Sequence, residues 1–163
     1  MGKRRGTLWI LSGLLLLLGA AGLTAYNLNQ DMTAGAESSA VIREMTAILE
    51  KTPVKPAATK PAAEFTLPEE EPAPLELDGR SYMGLITLPT LGLQLPVQEE
   101  WSYPNLRVSP CRMAGSPATE DLVILAHNYR THFGSLNRLE EGDQVSVTLT
   151  DGTTYVYQVN AKE

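Results

Sequence analysis

The side chains best suited to proton transfer or nucleophilic attack near neutral pH are two histidines, His127 and His132, and one cysteine, Cys111. Imidazole is the only side chain whose ordinary pKa lies close to neutrality, so a well-placed histidine can both give and take a proton. His127 directly follows the apolar run Leu122 to Ala126, which reads as a short buried strand. A rigid strand can hold the backbone there while the ring stays free to meet a substrate. His127 is therefore the candidate for chemistry, and the competing reading is a turn histidine with no task. His132 is expected to be a structural or surface residue, and Arg130 and Arg138 have no assignable role. Cys111 has Arg112 beside it, but a nucleophilic cysteine must be a thiolate in an electropositive, partly exposed place with a base in reach. A lone small thiol in a loop or core more often packs inertly, which is the expectation for Cys111. A divergent Cys111–His127 thiol site is the minor alternative.

Composition removes several other functions. The formal charge of −6 argues against nucleic acid, which needs clustered Lys and Arg to neutralise phosphates. One cysteine excludes an intrachain disulfide and any cysteine-based zinc site, and the two histidines have no metal-ligand spacing. No metal and no cofactor is expected.

The elements that must position His127 follow in chain order. Residues 1–30 carry Lys3-Arg4-Arg5 and then an uncharged stretch, Gly6 to Gln30, with about 20 apolar residues, enough for a helix to cross a bilayer. The basic flank places that end in the cytoplasm and the rest outside. A cleaved signal sequence is the alternative, with Ala20-Ala21-Gly22 or Ala34-Gly35-Ala36 as small-residue sites, but neither is well placed, and an uncleaved anchor is favoured. Residues 31–51 contain Val41, Met45, Ile48 and Leu49 at helical spacing, an amphipathic helix that Ser38 or Ser39 could cap. Residues 52–80 are proline-rich and acidic, an extended linker.

The domain is expected over 81–163. Tyr82 to Leu88, Leu93 to Val97, Leu122 to Ala126, Gln144 to Thr150 and Thr153 to Val159 read as five strands, with Asp151-Gly152 as a hairpin turn. Glu100 to Arg107 reads as a loop or short helix, Ser109 to Ser116 as coil, and Phe133 to Leu139 as one helical turn. Short strands with turn signals between them imply an all-β sandwich or barrel.

In this order the residues resemble the sortases, membrane-anchored cysteine transpeptidases found mostly in Gram-positive bacteria. The resemblance rests on Gly84, Ile86, Leu88 and Pro89, on Leu93 to Val97, and on Leu122 to Asn128. It continues through His132-Phe133-Gly134 with Leu136 and Leu139, then Gly142-Asp143 and the Asp-Gly hairpin. The general look is nearer class B or D than class A. The resemblance implies a β-barrel, here incomplete at the C-terminus behind one transmembrane helix and a linker. It also implies a catalytic His, Cys and Arg, and carries the histidine onto His127. The T-L-x-T-C segment that holds the family's cysteine, and the strand with its arginine, do not occur in these residues. The implied partners are surface proteins bearing a sorting signal and an amine acceptor, cell wall or pilin. The implied location is the cell membrane, single-pass, with the C-terminal domain extracytoplasmic. The expectation is an inactive N-terminal part of such an enzyme; the alternative is a non-catalytic, membrane-tethered extracytoplasmic binding module.

Overall fold

The computed structural model describes residues 2–51 and 71–161, with side chains from residue 8. Most of the expected linker, residues 52–70, lies outside the described residues. The chain divides into two compact units, Met1–Thr33 and Ala34–Glu163.

The first element, α1, is a single helix over Gly2–Leu49. The sequence reading separated an anchor from an amphipathic helix capped at Ser38 or Ser39. No such break exists, because no proline interrupts this stretch and nothing there competes with the helical ladder. Ser39 instead donates back to the Gly35 carbonyl at 2.7 Å, as a mid-helix serine does. Within the first unit, the apolar side chains from Leu8 to Met32 are exposed. This portion is long and apolar enough to cross a membrane.

The second unit is built on one seven-stranded sheet. Its strands are β1 (Leu75–Leu77), β2 (Arg80–Leu88), β3 (Leu93–Gln98), β4 (Cys111–Ala114), β5 (Val123–Leu125), β6 (Gln144–Leu149) and β7 (Thr154–Gln158). Two strands were not expected. β1 falls in the stretch assigned to the linker, and β4 in a stretch assigned to coil. Both are very short: Leu75-Glu76-Leu77 and Cys111-Arg112-Met113 do alternate, but over too few residues to mark a strand by themselves; pairing with neighbouring strands makes them strands. All-β thus describes only the sheet-bearing part of the chain, since α1 alone has 48 residues.

The sheet order is β5-β4-β3-β2-β6-β7, with β1 also on β2. β2 pairs antiparallel with β3 along one edge, while β1 (at 80–82) and β6 (at 84–87) share its other edge end to end. Only β3 and β4 run parallel. Leu122 and Ile124 at one end of the sheet and Tyr155 and Tyr157 at the other pack on the same cluster of Ile86, Leu88, Leu95, Val97, Val147 and Leu149. For both ends to reach one cluster the sheet must curl, and it forms a half-barrel around that core.

The outer face of β2 has its own cover. Ala34, Ser38, Val41 and Met45 of α1 are all buried, a stripe at three- and four-residue spacing. Val41 and Met45 pack with Leu77, Tyr82 and Leu85 in a second apolar cluster. The helix predicted from the spacing of Val41, Met45, Ile48 and Leu49 therefore packs on the sheet, with Ile48 and Leu49 joining the edge of that cluster.

Gly84 sits where β2 meets β6. A Cβ there would lie 2.0 Å from the carbonyl oxygen of Thr148, a backbone atom that cannot move aside. Gly84→Ala is expected to destabilise the folded unit by about 3 kcal/mol through overpacking. Met45→Ala, which empties a fully buried site, should cost about 2–5 kcal/mol. Denaturant unfolding of the full chain in detergent micelles, followed by near-UV circular dichroism, checks both. A Met45→Ala midpoint equal to wild type would show that α1 does not stabilise the sheet.

Candidate functional site

His127 lies two residues beyond β5, and its main chain is fastened by the loop that follows. The His127 carbonyl accepts from Phe133 N at 3.3 Å, and the Tyr129 carbonyl accepts from His132 N at 3.0 Å and from Gly134 N at 2.9 Å. Gly134 must be glycine here, because a Cβ would stand 2.6 Å from the Tyr129 carbonyl oxygen. Phe133–Arg138 then form a 3-10 helix, which is the helical turn expected there. The strand end and the closed loop together hold a half-buried imidazole at a fixed point on the sheet edge.

Three rings run through this loop. His127 stacks on Tyr129 with centroids 4.7 Å apart and an interplanar angle of 23°, and Tyr129 meets His132 at 5.3 Å and 53°. His132 is completely buried, and its Nε2 lies 3.3 Å from Ser38 Oγ of α1. Ser38 donates its only proton to the Val108 carbonyl at 2.7 Å. Its oxygen therefore accepts from His132, which assigns the imidazole proton to Nε2. His132 is fully internal, which excludes the surface position that was the other expectation for it. The composition showed both histidines but not this arrangement, for which the aromatic spacing at 127, 129 and 132 was the available signal.

Cys111 comes close to His127 in the sheet but not in chemistry. It pairs in register with Leu125, two residues before the histidine. The thiol is fully buried and donates to the Ser109 carbonyl at 3.4 Å. Burial pushes its pKa from the usual 9.0 up to about 11, only partly offset by a backbone hydrogen bond. Arg112 gives no help, because successive strand residues face opposite ways. Its guanidinium instead bridges Glu71, at 2.6 Å, and Glu99. Burial raises the Glu71 pKa, but hydrogen bonds from Ser116 and Arg112 outweigh it and leave the carboxyl below its usual range. These groups line an open pocket of about 610 Å³ with Trp101, Met113 and Gly115. Arg130 and Arg138 are exposed. No cluster able to hold a metal ion occurs among the described residues.

Residues 86–163 match the family model described as Sortase domain. Over those residues the chain is similar to the sortase family. Its class is not determined by these matches. A lid mutant of sortase A from Corynebacterium diphtheriae is 24% identical, over 50% of this chain and 48% of its own, with a TM-score of 0.45. Sortase C1 from Streptococcus agalactiae is 26% identical, over 53% of this chain and 48% of its own, also at 0.45. A second sortase A structure from Corynebacterium diphtheriae is 18% identical over 88% of this chain and 75% of its own, again at 0.45. The chain thus spans about half the length of the first two sortases. Comparison with curated proteins returned no match.

The buried thiol has a measurable consequence. Between pH 9.0 and about 11 the folded protein keeps a proton that the unfolded chain has released. Stability must therefore fall with rising pH across that window. The slope should be shallower in Cys111→Ala, a comparison that also cancels the half-buried Tyr157, whose pKa desolvation lifts to about 12. At pH 8, iodoacetamide should label Cys111 far more slowly than a free model thiol, and His127→Ala should not change that rate. Labelling at the free-thiol rate, slowed by His127→Ala, would instead establish a Cys111–His127 pair.

Proposed function

We propose that the protein is a sortase-type cysteine transpeptidase in which His127 is the acid–base group. The observation that carries this reading is the pinned histidine directly beyond β5, inside a matched sortase domain. In such a reaction a thiolate attacks the scissile carbonyl of the sorting signal, the peptide C–N bond breaks, and a thioester forms. The leaving amine takes its proton from the imidazolium. An acceptor amine then attacks the thioester, returns a proton to the imidazole and frees the thiolate. His127 would make both transfers, which demands a group that changes charge near neutral pH.

The thiolate is not Cys111, whose burial and high pKa disqualify it. We infer that residues 1–163 supply the proton-transfer half of the site and that the thiolate comes from outside them, as it would be supplied in the native membranes. The basic residues Lys3, Arg4 and Arg5 before an apolar span support a cytoplasmic N-terminus, a single crossing and an extracytoplasmic sortase domain. The proline-rich, acidic composition of residues 52–70 supports a spacer there. The substrates would be surface proteins with a sorting signal, joined to a cell-wall or pilin amine.

The test uses the protein in its native membranes, with a fluorogenic pool of sorting-signal peptides and hydroxylamine as the amine. His127→Ala should lower hydroxamate formation at least roughly 100-fold, the usual scale for losing a general acid–base group. Cys111→Ala should leave the rate within twofold of wild type. Transfer that survives His127→Ala, or that is lost with Cys111→Ala in a protein that still folds, would overturn the assignment.

A further inference from the structure

The loop that carries His127 is seated on α1 at two neighbouring points. Ser38 Oγ accepts from His132, and Gly35 gives room to Thr131, whose Cγ2 would lie 2.8 Å from a Cβ at that position. Ser38 is buried at 2% exposure and is itself tied to the Val108 carbonyl just before β4. From this anchor the rings of His132, Tyr129 and His127 follow in sequence, each within the spacing of interacting aromatic pairs. The nearly parallel His127–Tyr129 pair, at 23°, restrains the imidazole to one plane. Nothing in the buried stripe of α1 requires a polar residue for packing, and an alanine would fill Ser38's place. Its hydroxyl joins two other parts of the fold, the His132 ring and the segment leading into β4.

We propose that Tyr129 is a positioning residue for the His127 imidazole, held in place through His132 by Ser38, so that the α1 segment from Ala34 to Leu49 belongs to the apparatus that orients the acid–base group. This rests on the reading of His127 given above for its catalytic meaning, but the positioning itself does not. The contact Tyr129 makes with His127 is through the flat face of its ring. Phenylalanine should therefore replace it and leucine should not, although leucine fills similar space.

The full chain in detergent micelles is treated with diethyl pyrocarbonate, and modification of its two histidines is followed separately by peptide mass spectrometry. In wild type His132 should react much more slowly than His127, as its complete burial requires. Tyr129→Leu should raise the His127 rate roughly three- to tenfold, the weight of one aromatic pair. Tyr129→Phe should stay within twofold of wild type. Ser38→Ala should raise both histidine rates. Unchanged His127 rates in Tyr129→Leu and Ser38→Ala would overturn the proposal, as would a Tyr129→Phe variant that behaves like Tyr129→Leu. If Tyr129→Leu loses its cooperative thermal transition, Ser38→Ala decides alone. None of these rates needs turnover. Rates that respond while peptide transfer ignores His127→Ala would remove the catalytic reading and keep the positioning, and the converse pattern would do the reverse.

Discussion

β2 is covered on both of its faces, and the rest of the second unit depends on that fact. Ile86 and Leu88 face the half-barrel core, while Tyr82 and Leu85 face Val41 and Met45 of α1. A strand so enclosed cannot show the simple alternation of a half-exposed strand; residues 82–86 are all buried. Its edges are equally used, by β3 on one side and by β1 and β6 on the other. A central glycine, Gly84, lets β6 approach. Any shift in the register of β2 would misplace the core, the helix seat and the strands leading to β5 together.

Burial then sorts the groups that have reactive chemistry. Cys111 pairs with Leu125 of β5, and His127 follows two residues beyond that strand's end. The thiol faces the interior, where the cost of removing a charge from water keeps it protonated. The histidine lies past the end of its strand, where the chain has left the packed part of the sheet. A sequence neighbour such as Arg112 is no substitute for a spatial one, because the strand pleat sends it to the opposite face and into ion pairs with Glu71 and Glu99.

These constraints explain which parts could be read in advance. Strands β2, β3, β5, β6 and β7 were visible because each carries its own apolar run or alternation, and the Asp151-Gly152 turn fixes the last hairpin. The helical stripe of Val41 and Met45 was visible for the same reason. β1 and β4 were not, because three and four residues hold too little pattern, and their strand character comes from partners far away in the chain. The separate helix start expected at Ser38 or Ser39 does not occur, because the change in polarity before it is not a change in backbone. Leaving the apolar span alters what a helix touches but gives its hydrogen bonds no reason to end.

The candidate site divides along the same line. His127 could be placed because strand and histidine are adjacent in sequence. Its surroundings could not, because they combine residues from three separate segments: Ser38 from α1, Val108 from before β4, and the 127–134 loop. Ser38 shows why such a link escapes local reading. A serine at that place in a helical pattern suggests a cap, which is a use of its oxygen by its own backbone. Here the helix runs through it, so the hydroxyl is available to other parts of the fold. Its one proton goes to Val108, its oxygen receives His132, and the tautomer of a buried imidazole is thereby decided by a residue 94 positions away in the chain.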